Sequence, residues 1–213
     1  MRASNLATLN AAQKRKVAAL FSGMKTVRPL SNFVRIMPTT YAKKDPLSYG
    51  PATSRFSPRK LPSRPIQPFG LIYGTINLET AGFEAVIRDS FNLLPARILR
   101  PVAYQPKSAV NFSTASGSAL TLLDMTGGNA SRYGVPTDVI RFSNHTSGQF
   151  FSEFVYNTMK DVDGLLYSSR FTEALCVAVY DRTIPKLVSP GSPMYLTRRI
   201  LAPVMAPWNV QVL

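Results

Sequence analysis

A chain of 213 residues, 45% of them hydrophobic, suffices for one domain with extensions and a sizeable core, and a single cysteine and a single histidine exclude an internal disulfide and cysteine or histidine metal clusters and weaken any Ser–His hydrolase. The net charge of +14 is lopsided: residues 1–70 hold 13 Lys and Arg against one acid, Asp45, whereas residues 71–213 are close to balance. Such a front attracts phosphates, an acidic partner or nucleic acid, while no apolar run is long enough to span a bilayer.

Residues 4–21, SNLATLNAAQKRKVAALF, read as an amphipathic helix with Leu6, Leu9, Val17, Leu20 and Phe21 as its apolar contacts, ended by Gly23. FVRIM at 33–37 reads as a strand, and Arg35 between its apolar neighbours either snorkels or meets a buried anion. Residues 38–70 are rich in proline and glycine and read as a long irregular loop, a kind of segment that is usually functional or disordered. Tyr41, Tyr49, Arg55, Arg59, Lys60 and Arg64 in it suit a diphosphate and a ring, and Phe56 and Phe69 call for partners.

The stretch 71–91, LIYGTINLETAGFEAVIRDSF, organises the rest. Leu71, Ile72 and Tyr73 read as a short buried strand, Gly74 and Thr75 loosen the chain, and Asn77 caps a helix through Ile87. Glu84 lies one turn before Arg88, so it either forms a surface ion pair or projects with Tyr73 into a cleft. Further on, 97–104 reads as a strand bent at Pro101, 117–125 as a short helix, 138–142 as a weak strand and 146–160 as a helix with Phe150, Phe151 and Phe154 on its apolar face. Strands follow at 164–167 and 174–181, a strand or helix at 193–201, and a final apolar strand at 208–213. Cys176, among apolar neighbours, reads as an inert core thiol. Neither a P-loop nor a Rossmann glycine pattern is present.

The segment DVDGLLYSSRFTEALCVAVYD at 161–181 resembles the C-terminal signature of the RES domain, and LIYGTINLETAGFEAVIRD at 71–89 resembles that family's strand–helix segment with its Tyr and Glu. FVRI at 33–36 resembles its opening strand, and TSRFSP at 53–58 its second arginine motif, with Thr53 and Ser54 in place of two glycines and Ser57 in place of Asn. The resemblance covers residues 30–182; residues 1–29, an amphipathic helical extension, and 183–213, packed on the domain, lie outside it. It implies an α+β fold similar to ADP-ribosyltransferases, with a core of two small sheets and flanking helices. It further implies an NAD-consuming cytoplasmic toxin, which breaks the nicotinamide–ribose bond by phosphorolysis or hydrolysis, uses no metal and is partnered by a helical Xre-type antitoxin with a DNA-binding domain.

Chemistry assigns roles within that frame. Losing nicotinamide leaves an oxocarbenium-like ribose, which a carboxylate stabilises, and Glu84 is the candidate. Arg35 and Arg55 are candidate forks for the diphosphate. Tyr73 is placed to stack on or orient the nicotinamide, and Ser169 to orient the ribose or nicotinamide side through its hydroxyl. The alternatives are a mono-ADP-ribosyltransferase acting on a protein and, outside enzymology, a basic nucleic-acid-binding module. The front segment lacks a recognition helix, so specific nucleic-acid binding is not expected.

Overall fold

Two runs, GLLYS and LCVAVY, are apolar at nearly every position, a pattern that belongs inside a sheet covered on both faces. A computed structural model describes residues 3–50, 53–62, 66–91, 94, 96–141 and 143–213, and Arg64 and Phe142 lie outside them. The strands are β1 (Lys25–Arg28), β2 (Phe33–Pro38), β3 (Leu71–Thr75), β4 (Ile98–Leu99), β5 (Lys107–Thr114), β6 (Leu120–Asp124), β7 (Gly164–Ser168), β8 (Leu175–Tyr180), β9 (Leu187–Val188), β10 (Met194–Tyr195) and β11 (Gln211–Val212). The α-helices are α1 (Ala11–Ser22), α2 (Thr39–Lys44), α3 (Leu78–Gly82), α4 (Pro101–Tyr104), α5 (Asn129–Arg132), α6 (Asp138–Arg141), α7 (Thr146–Thr158) and α8 (Arg198–Met205). None of the helices among the described residues is long and apolar enough to cross a membrane.

The class is α+β. Among the described residues nine strands join in one sheet, in the order β1-β6-β7-β8-β3-β2-β5-β10 with β9 beside β5, and β4 pairs with β11 separately. The core expected as two small sheets is therefore one larger sheet, but its continuity is narrow. β3 pairs with β8 along its whole length, whereas β2 and β3 share the single register pair Val34↔Thr75. The sheet thus almost divides between β2 and β3.

One face of β3, β7 and β8 packs on α1 and α7, where Phe21, Phe151, Phe154, Leu165 and Tyr180 are buried together. On the other face Ile72, Leu122, Leu166 and Val177 meet Phe33 and Phe112. A third core, including Phe83, Ile87, Leu201 and Met205, joins the segment after β3 to α8.

Several local expectations change. The N-terminal helix is a 3₁₀ turn, Ala3–Thr8, and then α1, because Asn10 and Gln13 form a reciprocal capping box that restarts the chain. Gly74 and Thr75 continue β3, and a Cβ at Gly74 would stand 2.4 Å from the Phe112 ring. Among the described residues of the 38–70 segment only Thr39–Lys44 is helical, while Phe56 and Phe69 are buried against Tyr167 and Tyr156. Residues 97–104 form a two-residue strand and then α4, which Pro101 opens at its first turn. Residues 120–124 are a strand rather than a helix. β6 is lodged between β1 and β7, and so shows no two-residue alternation. Asp138–Arg141 is helical, not extended, and folds back on the Thr137 carbonyl.

Candidate active site

Where β2 and β3 part, a cleft of about 710 Å³ opens, lined from β2, β3, the 48–58 loop and the turn after α3. That volume lies within the roughly 300–1,000 Å³ of small-molecule sites. Arg35, Arg55, Tyr73 and Glu84 all line it.

Strand alternation places Arg35 on the same face of β2 as Phe33 and Met37. Its Nη1 donates to the Pro46 carbonyl at 3.0 Å. Burial pulls its pKa down to about 10, and nearby Asp45 partly opposes this, so Arg35 remains a cation at neutral pH. Arg55 is 9% exposed, and burial lowers its pKa against the pull of Tyr167 and Glu84. Two guanidinium groups therefore face the cleft with much of their water removed, which strengthens their attraction for an anion.

Tyr73 projects from β3 on the α7 side of the sheet. Its hydroxyl accepts from Ser54 Oγ at 2.8 Å and from the Phe56 amide at 2.9 Å. Burial raises its pKa to about 12, so it remains a neutral phenol. The Tyr73 hydroxyl thus grips both neighbours of Arg55.

The chain that carries Glu84 is irregular. α3, capped by Asn77, widens into a π turn over Phe83–Ile87, closed by Arg88 N–H donating to the Phe83 carbonyl at 2.7 Å. Arg88 then takes φ +49°, a left-handed value uncommon for a residue with a side chain. π turns of this kind recur at functional sites. Arg88 Nε donates to the Glu84 carbonyl rather than its carboxylate. That carboxylate accepts instead from Ser169 Oγ at 2.7 Å. The surface ion pair is thereby replaced by a hydroxyl–carboxylate bond linking residues 85 positions apart.

Ser169 follows β7, is 2% exposed, and stands behind Glu84 rather than on the cleft wall. Its Oγ also accepts from the Phe171 amide at 3.2 Å. The hydroxyl of Ser169 therefore orients the carboxylate. The structure brings all five predicted residues together, four on the wall and Ser169 behind them.

Sequence reasoning missed Tyr167, His145 and Arg170, which also line the cleft. Tyr167 is buried with its pKa well above normal, chiefly through desolvation. His145 is half-buried, and burial and then Arg55, Arg88 and Arg170 depress its pKa against Asp89. Arg170 pairs with Asp89 and stacks on Phe171. The signal for His145 was its place just before the 146–160 helix; Arg170 adjoins Ser169 in the sequence. Among the described residues no cluster suited to a metal ion occurs.

No family model matches the chain. A probable toxin, y4kH, of Sinorhizobium fredii is 28% identical over 94 residues, which make up 44% of this chain and 74% of that protein. In the crystal structure of the M. tuberculosis MbcT–MbcA toxin–antitoxin complex, a chain aligns with TM-score 0.59 at 14% identity, covering 89% of this chain and 97% of that one. The chain is similar in fold to the MbcT toxin. The MbcT likeness and the toxin relative agree with the RES-domain resemblance of the sequence, and a toxin is what the chain resembles in both sequence and fold.

Proposed function

We propose that this protein is a RES-domain toxin that cleaves the nicotinamide–ribose bond of NAD. The observation that carries the reading is the Ser169–Glu84 hydrogen bond of 2.7 Å, which fixes a carboxylate on the wall of a cleft that also holds the buried Arg55 and the half-buried Arg35. Arg35 and Arg55 suit the diphosphate, whose charge is present in the ground state and calls for forked donors. The cleft leaves room for the sugar and base beside them.

In the reaction the bond from ribose C1′ to the nicotinamide nitrogen breaks, and its electron pair leaves with nicotinamide. Positive charge develops on C1′ and the ring oxygen. Glu84, held by Ser169, faces that charge without having to reorganise, the condition under which electrostatic stabilisation is most effective. An acceptor oxygen then bonds to C1′. With phosphate the product is ADP-ribose carrying a phosphate on that carbon, with water it is ADP-ribose, and in either case the attacking oxygen gives up its proton.

The MbcT toxin is seen with the antitoxin MbcA, and the reading extends to a cognate helical antitoxin for this chain. The basic front does not require a nucleic acid. Arg35 and Arg55 line the cleft, while Lys25 and Arg59 pair with Asp161 and Glu153.

The test is to incubate purified protein with NAD, with and without phosphate, and to identify products by mass. Release of nicotinamide is expected, and the second product names the acceptor. Intact NAD with a folded protein refutes the reading, as does normal bacterial growth when the protein is expressed alone.

A further inference from the structure

Helix α7 lies behind Arg55, and one of its residues is unexpected there. Gly148 stands within the helix, where alanine would be favoured by about 1 kcal/mol. A Cβ at Gly148 would lie 2.5 Å from the Arg55 carbonyl oxygen, 2.9 Å from Arg55 Cγ and 3.1 Å from the Val139 carbonyl oxygen. Two of these three atoms are backbone and cannot swing aside, and packed interiors pass on such displacements rather than absorb them. The next residue, Gln149, donates from Nε2 to the Ser54 carbonyl at 3.1 Å. One turn on, Glu153 accepts from the Arg59 amide at 2.8 Å and from Arg59 Nε and Nη2 at 3.0 and 2.8 Å. From the sheet side Tyr73 takes the two hydrogen bonds that flank Arg55.

The geometry points to Gly148 and the Tyr73 hydroxyl as positioning residues that set Arg55 in place from opposite sides before any ligand arrives. Gly148 acts by being small, which lets the Arg55 backbone rest directly on α7. Tyr73 acts through its oxygen rather than its ring. The inference rests on the reading of Arg55 as a ligand of the NAD diphosphate. Its functional content is preorganisation, since an arginine fixed beforehand loses little freedom on binding.

The experiment is titration calorimetry of NAD into the full chain carrying Glu84→Gln, so that binding is read without turnover. Gly148→Ala, Tyr73→Phe and Arg55→Ala are added singly, and each of the first two is combined with the third. Gly148→Ala and Tyr73→Phe should each weaken NAD binding by roughly tenfold, and should have little further effect once Arg55 is alanine, as coupled neighbours do. Equal losses with and without Arg55 would overturn the inference, because they mark general damage to the cleft. Should Gly148→Ala not fold, Tyr73→Phe decides, for it keeps the ring. Unchanged affinity in Tyr73→Phe assigns the residue to stacking and overturns the strut. If Arg55→Ala alone binds NAD like its parent, the fault lies in the reading of Arg55 as a ligand, and the positioning role falls with it.

Discussion

Replacing Glu84 by Gln tests the proposed chemistry with the least structural disturbance. Ser169 Oγ donates to Glu84 Oε1 at 2.7 Å, and glutamine keeps an oxygen at that place. What is lost is the charge. A hydrogen bond to a charged acceptor is worth roughly 1.5–3 kcal/mol and a neutral one roughly 0.5–1.5, so folding should weaken by about 1 kcal/mol. For a chain of this size that lowers Tm by about 2–4 °C. Losing a preorganised electrostatic group costs far more in the transition state, about 2.7–4 kcal/mol, or 10²–10³ in kcat. KM should change little, because charge on the ribose develops mainly after binding. The assay is nicotinamide release at varied NAD, read beside a melting curve. Wild-type kcat in a folded Glu84→Gln protein would reduce Glu84 to a structural acceptor for Ser169 and refute the assignment.

Ser169→Ala should lower kcat by roughly tenfold, the worth of one orienting hydrogen bond, and by less than Glu84→Gln in the same assay. The depressed pKa of His145 means that the folded state binds fewer protons than the unfolded one between its folded pKa and 6.5, so stability should fall as pH drops through that window and level off below it. His145→Gln should flatten that part of a Tm–pH profile. Glu153→Ala removes the carboxylate that Arg59 bonds, and melting should show a loss of about 2 kcal/mol, or about 4–8 °C. Cys176, fully buried and with its thiol pKa raised by desolvation, should resist iodoacetamide in the native protein and react after unfolding in guanidinium.

The candidate site was more legible than the sheet. Arg35, Tyr73 and Glu84 lie on segments with clear local signals: an apolar strand, a second apolar strand and an Asn-capped helix. Ser169 could be named from the resemblance, but its turn toward Glu84 rather than toward the cleft depends on a contact across 85 residues, which no local pattern encodes. The widening of α3 into a π turn at Glu84 was likewise invisible, since one residue of register is too small a change to alter hydrophobic spacing. LTLLD of β6, covered on both sides, reads as a helix, and no alternation or turn signal in the sequence marks β5. The expectation of two small sheets comes with the resemblance, and the one register pair that joins β2 to β3, Val34↔Thr75, is too local to be read from the sequence. Gly148 carried no warning either, because its meaning lies in what stands opposite.

The order in which the sheet is threaded has a consequence in time. β3 is made early, yet its full-length partner β8 comes about a hundred residues later. Glu84 likewise waits for Ser169, 85 residues downstream, which at roughly 5–20 residues per second is about 4–17 s of translation. During that interval a nascent chain has Arg35, Arg55, Tyr73 and Glu84 but no β8 to hold β3 and no hydroxyl to hold the carboxylate. Pairing across such distances is also slow to form, because the loop must close before any contact rewards it. An unfinished chain on the ribosome therefore carries the parts of the cleft without the cleft.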